Sequence, residues 1–170
     1  MTESNSLENI TSRVGEREFT LERVFDAPRK LVFKAFTEPE HVSRWWAPRP
    51  FTIPVCNIDL HPGGIWHYCM ESPEGNRHWS RAVYQEIVEP ERIVYTGGFS
   101  DEKANPVAGQ PEHLATVTFT EQEGKTNLTV RIEFDSAEEL ETTLKMGMKE
   151  GLSMTINGNL AELLEELQTA

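Results

Sequence analysis

The sequence has only two cysteines, Cys56 and Cys69, and no C-x-x-C pair. That excludes a zinc ribbon and a thioredoxin-type redox motif. Cationic side chains are scarce: 16 Lys and Arg stand against 28 Asp and Glu, for a formal net charge of -12. Such a chain repels phosphate backbones and anionic headgroups, so neither nucleic acid nor a membrane surface is an expected partner. No apolar run approaches the roughly 18 to 20 residues of a membrane span. The opening MTESNSLENITSRVGERE is polar and lacks the apolar core of a signal peptide. A reducing cytoplasm is therefore expected, and the Asn-x-Thr triplets at Asn9 and Asn127 are chance matches. His41, His61, His67, His78 and His113 show no H-E-x-x-H spacing and are expected to be solvated. There is no G-x-S-x-G, no P-loop and no dinucleotide fingerprint, so no metal and no cofactor are expected.

What is present fits one domain, since 170 residues without a repeat or linker leave nothing to divide. Residues 1–15 have few apolar anchors and read as a flexible tail before a domain over 16–168. Phe19 and Leu21 alternate with Thr20 and Glu22, the period of a strand over 16–25. Asp26-Ala27-Pro28 then changes the period. Asp26 is a candidate helix cap, and Val32, Phe33 and Phe36 form the stripe of a short helix. Pro39 opens a second short helix that ends near Trp45 and Trp46, stopped by Pro48 and Pro50. Strand-like segments follow at 52–60, 65–71, 78–88, 92–99, 114–121 and 126–134, divided by Gly, Pro, Asn and Asp clusters. Ser136-Ala137-Glu138-Glu139 matches a capping box. Leu152, Ile156, Leu160, Leu163 and Leu167 then make one helical stripe, and Gly147 and Gly151 predict a break before it. The expected fold class is α+β: a curved antiparallel meander covered on one face by a long C-terminal helix over about 148–168.

The turn His61-Pro62-Gly63-Gly64 bears on which face looks inward. A two-residue loop would set Trp66 and Tyr68 opposite Asp59 and Asn57. A three-residue loop with a glycine bulge pairs Leu60 with Trp66, Ile58 with Tyr68 and Cys56 with Met70, and collects the large apolar side chains on one face. The two cysteines then point to opposite faces and cannot bridge. The inward set on the strands becomes Ile58, Leu60, Trp66, Tyr68, Met70, Val83, Ile87, Tyr95, Phe99, Val117, Phe119, Leu128, Val130 and Ile132. Phe36, Trp45, Trp46, Met148, Leu152, Ile156 and Leu160 face it. Trp79 and Arg81 share the strand parity of Val83, so Arg81 is a candidate contact for a carbonyl or anionic group of a ligand. Asp59 is expected to order its turn or to pair with Arg81 or Arg92.

Three stretches resemble the opening of one family: Phe25-Asp26-Ala27-Pro28-Arg29, Phe36-Thr37-Glu38-Pro39-Glu40-His41 and Trp45-Trp46-Ala47-Pro48. The family is that of the activator of heat shock protein 90 ATPase. Asp59-Leu60-His61-Pro62-Gly63-Gly64, Pro90-Glu91-Arg92-Ile93-Val94-Tyr95 and the segment from Gly147 to Leu167 resemble its later landmarks, so the resemblance covers about 16–168. It implies the helix-grip fold of the START-like superfamily, with a pocket between sheet and last helix. Two positions depart from the pattern: His61 stands where the family usually has arginine, and Gly151-Leu152 where it usually has glycine and tryptophan. The eukaryotic co-chaperone also carries a separate N-terminal chaperone-binding domain with no counterpart in these residues.

The function expected first is binding of a small hydrophobic or aromatic molecule by a monomer or weak homodimer. The candidate ligand-binding residues are Phe36, Trp45, Trp46, Ile58, Leu60, Trp66, Tyr68, Trp79, Arg81, Val83, Tyr95, Phe99, Val117, Phe119, Met148, Leu152 and Ile156. The alternative, implied by the resemblance, is a protein-interaction module whose partner is a chaperone in a stress response. An enzyme of cyclase or hydratase type using Tyr68, Tyr95 or a buried acid ranks third, because no nucleophile–base pair is legible.

Overall fold

The computed structural model describes residues 10–169. It begins with a strand, β1 (Ile10–Val14), paired antiparallel with β2 (Glu18–Phe25). Residues 10–14 thus leave the stretch expected to be a tail, because Ile10 buries its side chain in the core and holds the strand down. The remainder of that stretch, 1–9, lies outside the described residues. Two short helices follow, α1 (Arg29–Thr37) and α2 (Pro39–Trp45). Pro28, extended, stands at the cap of α1 with no side-chain hydrogen bond, so Asp26 does not cap it.

The helices carry the chain to the far edge of the sheet. Six more strands then run back: β3 (Thr52–Ile58), β4 (Ile65–Glu71), β5 (Arg77–Val88), β6 (Arg92–Phe99), β7 (His113–Gln122) and β8 (Lys125–Glu133). Every pairing is antiparallel, in the order β1-β2-β8-β7-β6-β5-β4-β3. The chain closes with α3 (Ala137–Lys145), α4 (Met148–Met154), a π-helical turn (Thr155–Leu160) and α5 (Ala161–Thr169). Ser136 Oγ accepts from the Glu139 amide at 3.1 Å, which is half of the expected capping box. The other half is missing, since the Glu139 carboxylate makes no return bond. The expected break falls at Gly147, whose φ of +94° is one that residues with a Cβ rarely adopt. The π turn admits an extra residue, so Leu163 and Leu164 are both buried behind Ile156 and Leu160, while Leu167 is half-buried. No helix among the described residues is long and apolar enough to cross a membrane.

Two registers differ from expectation. In the first hairpin, Ile58 pairs with Trp66 and Cys56 with Tyr68. The shift is two residues because the 59–64 loop does not fold as a narrow hairpin. Instead Gly63 donates to the Tyr84 carbonyl at 2.7 Å and the Tyr84 amide donates to Gly64 at 3.0 Å, which ties the loop to β5. Any side chain at Gly64 would collide with the Asp59 carbonyl. A shift of two preserves the faces, so Ile58, Trp66 and Tyr68 still look inward, but Leu60 leaves the ladder and is exposed. The cysteines are free and on opposite faces, as expected. Asp59 pairs with His61 (Oδ2 to Nε2, 3.0 Å), not with Arg81 or Arg92.

The second difference lies in β5. A bulge between Tyr84 and Glu86 sets Tyr84 opposite Tyr95 and Ile87 opposite Ile93. The extra residue flips the alternation, so the inward set before it is Ser80, Ala82 and Tyr84. Trp79, Arg81 and Val83 therefore face outward, a correction to all three. The Arg81 guanidinium donates to the Ala104 carbonyl at 3.2 Å and Trp79 stacks on His67 at 4.9 Å, contacts made on the outer face.

Candidate functional site

The concave face of the sheet and the helices over it enclose a chamber of two adjoining lobes, about 170 and 280 Å³. Its floor is built strand by strand. β4 supplies Trp66, Tyr68 and Met70; β5 supplies Ser80 and Ala82; β6 supplies Tyr95, Gly97 and Phe99. β7 adds His113, and β8 adds Val130 and Ile132. These residues share a face because each strand alternates with period two. The roof is Thr143 near the end of α3, Met146 just past it, one face of α4 (Met148, Gly151 and Leu152) and Thr155, the first residue of the π turn. Trp46 and Pro48, just past α2, close one end.

The aromatic end is tightly organised. Trp46 meets Trp66 edge-on at 4.8 Å and Tyr68 at 6.2 Å, and Trp66 stacks on Tyr68 at 4.9 Å. Tyr95 meets Trp66 at 5.7 Å. Such edge and offset contacts suit the ring quadrupoles and fix the rings in place. Trp46 is positioned from behind. Asn159, in the π turn, donates from Nδ2 to the carbonyls of Trp45 at 3.3 Å and Ala47 at 3.0 Å. These are carbonyls at a helix C-terminus that would otherwise be orphaned. One residue further back, Trp45 Nε1 donates to the Ala35 carbonyl at 2.7 Å and locks α2 onto α1.

The electrostatics are those of a largely apolar, uncharged site. Among the described lining residues there is no carboxylate, thiol or lysine, and Arg81 contributes from its place in the strand while its guanidinium is held at Ala104. Burial pushes the Tyr68 and Tyr95 hydroxyls well above the usual phenol range, so both stay protonated. Trp46 and Ser80 lie beside the Tyr68 hydroxyl and offset part of that shift. Burial also pushes His113 down to about 4, so its imidazole is neutral at physiological pH. The ring has room over β6 because Gly97 opposite has no side chain; a Cβ there would lie 3.0 Å from His113 Nε2. Tyr95 and Phe134 flank it at 6.4 and 5.8 Å.

Of the residues expected at the site, the chamber is lined by Trp46, Trp66, Tyr68, Tyr95, Phe99, Met148 and Leu152, with Arg81 at its margin. The others lie elsewhere. Phe36, Trp45, Val117, Phe119 and Ile156 are buried in the core beyond the chamber, where Phe36 packs on Trp45 at 4.7 Å and on Phe119 at 5.4 Å. Ile58 packs at the core's edge, Leu60 is exposed, and Trp79 and Val83 are outside. His113, expected to be solvated, is instead a wall of the chamber. Its parity with Val117 and Phe119 was a usable signal, since alternation carried two residues back reaches it. Met146, Thr143 and Thr155 had no such signal, because only the packing of α3 and α4 brings them in. No group of three or more metal-ligating side chains gathers among the described residues. A third depression, about 480 Å³ between β2 and α5, holds Arg23, Asp26, Glu165 and Gln168; its Arg23 is engaged by Asn157 at 2.9 Å.

A curved antiparallel sheet that grips a long terminal helix around an apolar chamber is the helix-grip architecture. Residues 26–165 match the family model of activator of Hsp90 ATPase homolog 1-like proteins, and the chain belongs to that family. A Mycobacterium smegmatis protein of known crystal structure is 30% identical, with TM-score 0.81 over 91% of this chain and 94% of that one. A Nitrosomonas europaea protein is 26% identical, with TM-score 0.82 over 93% and 100% of the two chains. The solution structure of an Arthrobacter aurescens protein gives 27% identity and TM-score 0.83, covering 91% of each. No curated protein matches the chain.

Proposed function

We propose that the chain binds a small, largely apolar, ring-containing molecule in the chamber between sheet and C-terminal helices. The observation that carries this reading is the chamber itself: a lobe of about 280 Å³ walled by Trp46, Tyr68, Tyr95, Phe99, Met148 and Leu152. For scale, an apolar cavity of roughly 150 Å³ accepts benzene. Apolar walls with a few polar groups are the usual make-up of a small-molecule site. The lining offers no nucleophile beside a base, which favours binding over catalysis. Titrating a library of ring compounds into isotope-labelled protein should shift the indole N–H signals of Trp46 and Trp66 and the methyls of Met146 and Met148. A broad library that leaves all of them unmoved would overturn the proposal.

Family membership makes a chaperone the protein partner to test. Under that reading the pure protein raises the ATPase rate of its cell's own chaperone, and an unchanged rate removes it.

A further inference from the structure

Most polar groups around the chamber have a neighbour of their own. The Tyr68 hydroxyl is met by the Trp46 indole and by Ser80, and the Trp66 indole by the Cys56 thiol. Two groups are left over. The Tyr95 hydroxyl and the His113 ring make no hydrogen bond among the described residues, and none joins them to each other. Both line both lobes, and their polar atoms are not sealed as the Trp46 and Trp66 nitrogens are. Tyr95 is only 7% exposed, and it stands on β6 inside the sheet, so the open surface of its hydroxyl is the chamber itself. The two rings meet edge-on at 6.4 Å and converge over Gly97. A Cβ on Gly97 would lie 3.0 Å from His113 Nε2 and 3.4 Å from Tyr95 Cε1. Gly97 shares the inward parity of Tyr95, so its missing side chain opens a small polar niche in an apolar wall. A neutral hydroxyl and a neutral imidazole each offer one donor and at least one acceptor. An apolar ligand would cover both and leave them unpaired, which costs affinity.

Resting on the reading of the chamber as a ligand site, we infer that its ligand is an uncharged ring compound bearing a hydroxyl group, which sits over Gly97 and bridges Tyr95 Oη and His113 Nε2. A hydroxyl donates to one of these atoms and accepts from the other, whichever nitrogen of the imidazole carries the proton. An ether only accepts, and a hydrocarbon does neither. A carboxylate finds no counter-charge, since Arg81 at the margin is bonded to Ala104.

Three uncharged probes separate these cases: p-cresol carries the hydroxyl, p-xylene has a methyl in its place, and 4-methylanisole has an ether. Affinities are read from chemical shifts of the chamber-lining residues at neutral pH, for the native chain and for Tyr95→Phe, which keeps the ring and deletes only the hydroxyl. p-Cresol should lose roughly three- to tenfold on substitution, while p-xylene changes less than about twofold. Retained p-xylene binding shows that the variant chamber is intact. In the native chain, saturating p-cresol should move the ring nitrogen resonances of His113, and neither p-xylene nor 4-methylanisole should move them as far. Equal losses for p-cresol and p-xylene, or His113 nitrogens that p-cresol moves no further than 4-methylanisole does, would overturn the inference while leaving the chamber a ligand site. If none of the three binds while larger ring compounds do, the inference fails alone; if no ring compound binds, the reading beneath it fails as well.

Discussion

Removing the Asn159 side chain tests how the site is held. Asn159 is 5% exposed, and its amide bridges the carbonyls of Trp45 and Ala47 across the gap between the π turn and the end of α2. Substitution by Ala or Leu deletes both bonds and leaves two carbonyls facing an apolar surface. Each bond contributes about 0.5–1.5 kcal/mol, and each stranded acceptor costs about 1–3 kcal/mol. Because the freed carbonyls can turn partly toward water, the expected loss is about 2–4 kcal/mol for either variant. For a chain of this size that lowers Tm by roughly 4–16 °C. Urea unfolding followed by tryptophan fluorescence should give a lower midpoint at an unchanged slope. Because Trp46 sits between the two bridged residues, its indole signal should also broaden or move. A loss under about 0.5 kcal/mol, with the Trp46 signal unmoved, would refute the idea that this amide holds the chamber's end wall.

Acid should weaken the protein through His113. Burial takes that ring from 6.5 to about 4, so the unfolded chain binds a proton that the folded chain refuses between those values. Stability therefore falls as pH drops from about 6.5 toward about 4, by on the order of 3 kcal/mol, and this group adds nothing further below that. His113→Gln should flatten the slope in that window relative to the native chain, and parallel curves would contradict the assignment. At Gly64, where a Cβ meets the Asp59 and His61 carbonyls, Ala should cost about 3 kcal/mol or more in urea unfolding. Gly158, in the helical segment with open space around it, should gain roughly 0.5–1 kcal/mol on substitution by Ala. A loss there would mean that the π turn needs glycine.

Local pattern was enough for most of the elements, though not for β1, whose one buried anchor is Ile10, nor for the π turn inside the terminal helix. Strand alternation, Pro39 at the start of α2, and Gly147 ahead of a leucine stripe each act over a few residues, so each is written in the chain next to the element it makes. The family landmarks from Phe25 to Leu167 carried the arrangement of those elements. What failed were offsets. One bulged residue near Gln85 turned Trp79, Arg81 and Val83 outward, and the loop tied to Tyr84 moved the first hairpin by two. A bulge leaves no mark in composition, since it is fixed by the partner strand across the ladder. The division between core and chamber was equally hidden: Trp45 and Trp46 are adjacent and alike in chemistry. Which of them fills the interior and which faces the void depends on where α1, α4 and the π turn come to rest. The sequence by itself determined the strands from β2 to β8, the places of the helices and the supply of aromatic rings, because those follow from contacts a few residues apart. Only the tertiary structure decided which rings surround empty space, because a void is a property of surfaces brought together from distant parts of the chain.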